Sequence, residues 1–154
     1  MNDLGATQLS ATRAFLASRQ DEILGSICKL VETESPSGDF EGSSAVVDLL
    51  VDIARTIPEI SSIERILVPG YGEHLRMRAF DGRVDDTRTT LVLGHTDTVH
   101  PRGTLSRQSV RTEEGRLYGP GIFDMKASCV LALEALRTLV LLNFIPKRPV
   151  VLLF

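Results

Sequence analysis

The sequence predicts an α/β protein built on a mixed central sheet, and three observations carry that expectation. Apolar residues recur at helical spacing over residues 12–32, 41–55 and 125–142. Apolar and polar residues alternate over residues 63–68 and 74–80, the signature of strands with one wet face. Residues 89–93 and 150–154 are short continuous apolar runs, the composition of strands buried on both faces. Helical and strand signals therefore interleave along the chain, as they do in α/β architectures.

The first helical stretch places Phe15, Leu16, Ile23, Leu24, Ile27, Leu30 and Val31 on one side, with Ser10 or Thr12 available to cap its start. Glu34-Ser35-Pro36-Ser37-Gly38 then breaks the pattern, because proline disfavours helix in its predecessor and glycine permits a turn. In the second helix Val46, Val47, Leu49, Leu50 and Ile53 face inward, and Pro58 closes the region. Pro69-Gly70-Tyr71-Gly72 turns the chain between the two alternating strands. Asp81-Gly82 and Asp85-Asp86 punctuate the loop that follows them. Glu113-Glu114-Gly115 between residues 110–112 and 116–118 reads as the turn of a short hairpin. The third helix is rich in alanine and leucine, strong helix formers with a wide apolar face, and Pro146 and Pro149 follow its end.

A chain of 154 residues fits one domain with a substantial core. A net charge of −3 with both signs interspersed gives no basic footprint for a nucleic acid. No apolar run approaches the roughly 20 residues that a membrane helix needs, and no leader pattern opens the chain. A cytoplasmic protein with no nucleic-acid or membrane partner is the expectation. Cys28 and Cys129 sit in helix-like apolar surroundings and read as free, buried thiols. The chain stops inside an apparent strand at Phe154, so the expectation is a truncated chain.

Chemistry concentrates in two loops. Gly94-His95-Thr96-Asp97 ends the first apolar run, and Gly119-Pro120-Gly121 leads to Asp124 ahead of the third helix. Residues two apart on an extended segment point the same way, so Asp97 can hold one nitrogen of His95 while the other faces a metal. Asp124 at a helix start would be favoured as the carboxylate, the form that binds metal, although an ordinary capping aspartate has the same position. The glycines lack the spacing of a dinucleotide or P-loop fingerprint. His74 is expected on a solvent-facing strand position, His100 in a loop, and Lys126 either near Asp124 or in solvent.

Together these residues resemble the metal motifs of the M20 metallopeptidases. Gly94 to Val99 followed by Pro101-Arg102-Gly103-Thr104 resembles the first motif, and Leu117 to Gly121 leading into Asp124-Met125-Lys126 resembles the second. Residues 148–154 are similar to the strand that leads to the third, and the variant is most similar to the glutamate carboxypeptidase (carboxypeptidase G2-like) branch. Ser35-Pro36-Ser37 suits the junction after the family's first helix.

The resemblance implies a three-layer α/β/α zinc-exopeptidase-like fold, here incomplete. Residues 1–154 would be the N-terminal portion of a catalytic metallohydrolase domain. It implies two zinc ions per complete site, with His95 as a ligand, Asp124 bridging both metals and Asp97 orienting His95. It also implies a cis peptide bond after Asp124. The activity implied is hydrolysis of an amide or peptide bond in a small peptide or N-acyl amino acid, by a full-length homodimer. A Glu-Glu pair, the remaining ligands and a lid domain are expected past Phe154, which would leave this chain inactive by itself. A non-catalytic remnant and a small-molecule-binding module are the competing expectations.

Overall fold

The computed structural model describes residues 3–82 and 88–154, with side chains described from Gly5 onward. The predicted Asp85-Asp86 punctuation lies outside the described residues. Where one helix was expected over residues 12–32, two form: α1 (Asp3–Ser18) and α2 (Gln20–Glu32). They separate at Arg19, whose backbone leaves helical geometry at φ −107° and ψ 4°. The break has a packing reason. Ile23, Ile27, Leu30 and Val31 turn α2 into the core, whereas α1 is almost wholly exposed. Ser10 and Thr12 therefore lie inside α1 and cap nothing. Thr12 Oγ1 donates instead to the Gln8 carbonyl at 2.9 Å.

Helix α3 (Phe40–Ala54) starts at Asp39, whose carboxylate accepts from the Gly42 amide at 3.0 Å, an N-cap interaction. It buries Val46, Val47, Leu50, Val51 and Ala54, while Leu49 and Ile53 are only partly covered. Strands β1 (Ile60–Val68) and β2 (Gly72–Ala79) form the antiparallel pair that the alternation predicts. The last strand, β6 (Val150–Leu153), lies beside β2 antiparallel and beside β3 (Thr90–Leu93) parallel. The sheet order is β1-β2-β6-β3, so the chain is mixed α/β with a mixed sheet, as its sequence indicates. A small separate hairpin, β4 (Arg111–Glu113) and β5 (Arg116–Tyr118), turns at Glu114-Gly115, both at positive φ. Helix α4 (Ala127–Leu141) carries the chain from the hairpin back to β6.

One face of the sheet holds the core. Leu75, Met77, Ala79, Val150, Leu152 and Phe154 point toward α2, α3 and α4 and join Leu30, Val46, Leu50, Val130 and Leu133 in one apolar cluster. The opposite face carries no helix among the described residues. On it, Arg76 pairs with Glu64 and Arg78 with Asp81, beside the apolar Leu91 and Leu93. The second helical layer that the resemblance implies is thus not formed by the described residues.

This corrects the reading of β3. The run over residues 89–93 is apolar enough for a doubly buried strand, yet β3 lies at the sheet edge. Leu91 is 54% exposed and Leu93 63%. Composition reports what a strand can bury, and its neighbours decide what it does bury. Strand β6, the other apolar run, is central and covered, as expected.

Candidate active site

The parallel strands β3 and β6 end together, and the loops at that end hold the chemistry, where open α/β sheets form their crevices. Gly94 is the first residue past β3, and its backbone is pressed against the core. A Cβ there would stand 3.0 Å from the Phe154 ring and 3.4 Å from Cys129 Sγ. The lack of a side chain lets the loop start this close to α4. The Cys129 thiol donates to the His95 carbonyl at 3.4 Å and fixes the backbone of the next residue. Burial holds that thiol protonated, with its pKa raised to about 12. Both cysteines are free, Cys129 fully buried and Cys28 only partly so.

The imidazole of His95 stands between two carboxylates. Its Nδ1 lies 3.1 Å from Asp97 Oδ1 and 3.1 Å from the Asp97 carbonyl oxygen. Two acceptors at Nδ1 place a proton there, and a carboxylate at Nε2 accepts a hydrogen bond only when that nitrogen is protonated too. Its Nε2 lies 2.9 Å from Asp124 Oδ1. Partial burial disfavours the charged ring, but the Asp124 hydrogen bond, the Asp97 carbonyl and both carboxylate charges outweigh it, and the His95 pKa is raised. The three residues named from the sequence are therefore brought together in one place.

Asp124 is not a helix cap. It sits in an irregular turn, Ile122–Lys126, where its φ and ψ (−127° and 92°) leave helical geometry, and α4 begins after Lys126 with no side-chain cap. The Asp124–Met125 peptide bond is cis, as the resemblance implied. Gly121 opens the turn at φ +73°, a left-handed conformation, with Thr98 packed where its Cβ would be. The Asp124 side chain is 81% exposed and faces a cleft of about 510 Å³ walled by Ser37, His95, Asp97, His100 and the nearly bare side chains of Val99 and Phe123. His74 is exposed on the outer sheet face, as expected, and His100 is part of the cleft wall.

Lys126 departs from its expected place in solvent or beside Asp124. It is 1% exposed, and its Nζ donates to the Leu30 and Thr33 carbonyls at 3.0 and 2.6 Å. The ammonium thereby satisfies carbonyls that the end of α2 leaves open. Burial lowers its pKa to about 8. A lysine one residue before a helix reads as a surface group, and no sequence signal marks it as a strut between two helices.

Ser37, which the sequence marks only as part of a junction after a helix, also faces the cleft. Its hydroxyl donates to Asp97 Oδ2, on the side of the carboxylate away from His95. The loop that carries it is bound tightly to the site. Ser35 Oγ donates to the Thr96 carbonyl at 2.7 Å, and Glu34 accepts from the Gly103 and Leu105 amides at 2.7 and 2.9 Å. Those amide bonds lead the influences that hold the Glu34 pKa below its ordinary value. Across the same loop Arg102 pairs with Asp39 at 2.5 Å.

The donors suit a divalent metal in kind, one imidazole nitrogen and one exposed carboxylate converging on a cleft. They fall short in number. Among the described residues no group of three or more His, Cys, Asp and Glu side chains is placed to hold one ion, whereas zinc sites use three or four protein ligands.

Carboxypeptidase G2 of Pseudomonas sp. (strain RS-16) is 29% identical over 124 residues, covering 78% of this chain and 28% of that protein. Human carnosine dipeptidase 1 superposes with a TM-score of 0.73 at 14% identity, over 95% of this chain and 34% of that one. The dipeptidase Dug1p of Saccharomyces cerevisiae gives 0.68 at 16% identity, again over 95% and 34%. The two structural likenesses establish the fold. This chain spans about a third or less of the length of each of the three. The family model of peptidase family M20/M25/M40 matches residues 91–154, from β3 to the last residue of β6's ladder. Over that stretch, which carries His95, Asp97 and Asp124, the chain is similar to peptidase family M20/M25/M40.

Proposed function

We propose that this chain is the N-terminal portion of the catalytic domain of a zinc-dependent hydrolase. Its substrate is the amide or peptide bond of a small peptide or N-acyl amino acid. The observation that supports this most is the convergence of His95 Nε2 and Asp124 on an open cleft while Asp97 holds the other face of the imidazole. His95 and Asp124 would hold metal, and Asp97 would keep the proton on Nδ1 so that the Nε2 lone pair is free to ligate. Zinc, when bound, supplies Lewis-acid polarisation and lowers the pKa of water.

The other roles belong to the chain's own side chains. Cys129 and Gly94 set the position of the His95 backbone against α4. Lys126 ties the turn that carries Asp124 to the end of α2. The exposed apolar side chains of Val99 and Phe123 would cover part of a bound substrate. By itself the 154-residue chain would be inactive, since His95 and Asp124 are two donors where zinc needs more. The complete enzyme would act in the cytoplasm as a homodimer. The free state of Cys28 and Cys129 supports that compartment.

The test is an assay of dipeptides and N-acyl amino acids with a protein that contains this sequence and matches the relatives in length. Hydrolysis that disappears on chelation and returns with zinc is expected, with none from the 154-residue chain. Hydrolysis indifferent to chelators would overturn the proposal.

A further inference from the structure

The loop between α2 and α3 lies alongside the His95 loop in a defined register. Thr98 N donates to the Ser35 carbonyl at 2.9 Å and Ser37 N donates to the Thr98 carbonyl at 3.0 Å. Pro36 and Thr98 thereby form an isolated parallel bridge. That register places the Ser37 hydroxyl against Asp97 Oδ2 while His95 Nδ1 occupies Oδ1. Hydrogen bonds run in series from Ser37 through Asp97 and His95 to Asp124.

The two oxygens of Asp97 differ in what they do. The Asp97 side chain is 46% exposed, so a carboxylate held at one oxygen could turn into water. Held at both, it has one orientation. The backbone bonds dock the loop whatever side chain stands at position 37, because they use only main-chain atoms of Ser35, Ser37 and Thr98. Docking the loop and fixing the carboxylate are therefore separable functions, and only the second needs the hydroxyl.

We infer that Ser37 is a positioning residue of the site, which acts through Asp97 to hold the proton of His95 on Nδ1. The inference rests on the proposed role of His95 as a ligand, yet it concerns the imidazole in the chain without metal. Threonine at position 37 keeps a hydroxyl on the same carbon and would preserve the arrangement. Alanine would leave the Asp97 carboxylate with the imidazole alone.

The test is the nitrogen-15 spectrum of the His95 ring in the metal-free Asp124→Ala chain, at an alkaline pH where the ring is neutral. That substitution removes the carboxylate that competes for the ring proton at Nε2. The test compares that chain with the same chain carrying Ser37→Ala or Ser37→Thr, with amide exchange at Thr98 read in the same samples. Serine and threonine at position 37 should show the proton on Nδ1. Ser37→Ala should move the population severalfold toward the Nε2–H form, with Thr98 protected as before. An unchanged tautomer in Ser37→Ala would overturn the inference. So would a change accompanied by lost Thr98 protection, or one that threonine fails to reverse, since the residue would then serve only to dock the loop. Failure of the metal reading shows elsewhere, as absence of zinc binding in a protein whose His95 tautomer still answers to Ser37.

Discussion

Replacing Asp124 with alanine is expected to lower kcat/KM by on the order of 10³-fold or more, about 4 kcal/mol of transition-state stabilisation. The same change should leave stability within about 0.5 kcal/mol of the wild type. The contrast follows from where the side chain sits. It is 81% exposed, caps no helix and meets the protein at His95 Nε2. Little of the fold depends on it, while the proposed site depends on it as the bridging carboxylate. Kinetics and urea denaturation of a full-length Asp124→Ala variant check both halves. Unimpaired turnover would exclude a metal role for this residue. Lost turnover with a collapsed fold would show that the stability argument misjudged the turn that carries it.

Replacing Glu134 with alanine should do the reverse, lowering stability by about 3 kcal/mol and leaving the cleft intact. Glu134 lies on α4 with its side chain 5% exposed. It accepts from Arg19 Nε at 2.9 Å and from Arg137 Nε at 3.0 Å. Arg137 reaches on to the Thr56 carbonyl and hydroxyl at 3.1 and 2.6 Å, so the cluster joins the start of α2, the end of α3 and the middle of α4. Removing the carboxylate leaves two mostly buried guanidinium groups side by side, 20% and 11% exposed. The pH dependence has a definite sign. Burial opposes the charged carboxyl, but the two arginines outweigh it and lower its folded-state pKa below the ordinary 4.5. The contribution is therefore full above about pH 4.5 and is lost as pH falls through the lower folded value. Urea midpoints at pH 7 and pH 3 for both proteins check this. The gap between wild type and Glu134→Ala should be wider at the first than at the second. A difference under about 1 kcal/mol at pH 7 would mean that the cluster is held by other contacts.

The amphipathic and alternating patterns made α3, β1, β2 and the central position of β6 legible in the sequence, because each follows from how its residues divide between water and core. The break at Arg19 was not legible. Residues 12–32 keep helical spacing throughout, and only the ion pair with Glu134, 115 positions away, and the direction of the core divide them. The exposure of β3 was hidden for a related reason, since an apolar run is the same whether or not a neighbour covers it. Within the site, His95 and Asp97 were readable because two residues of one extended segment share a side. Asp124 was readable from the glycines before it, although its turn is not the helix start expected. The contacts of Ser37 and Lys126 were not readable. Their partners, Asp97 and the carbonyls of Leu30 and Thr33, lie 60 or more residues away and are met only after folding.

Zinc titration of the 154-residue chain, with His95→Ala as the control, tests the central claim most directly. If His95 and Asp124 are part of a larger ligand set, binding should be weak, involve a single ion and vanish in His95→Ala. Two ions bound tightly, or binding that survives the loss of His95, would contradict the account.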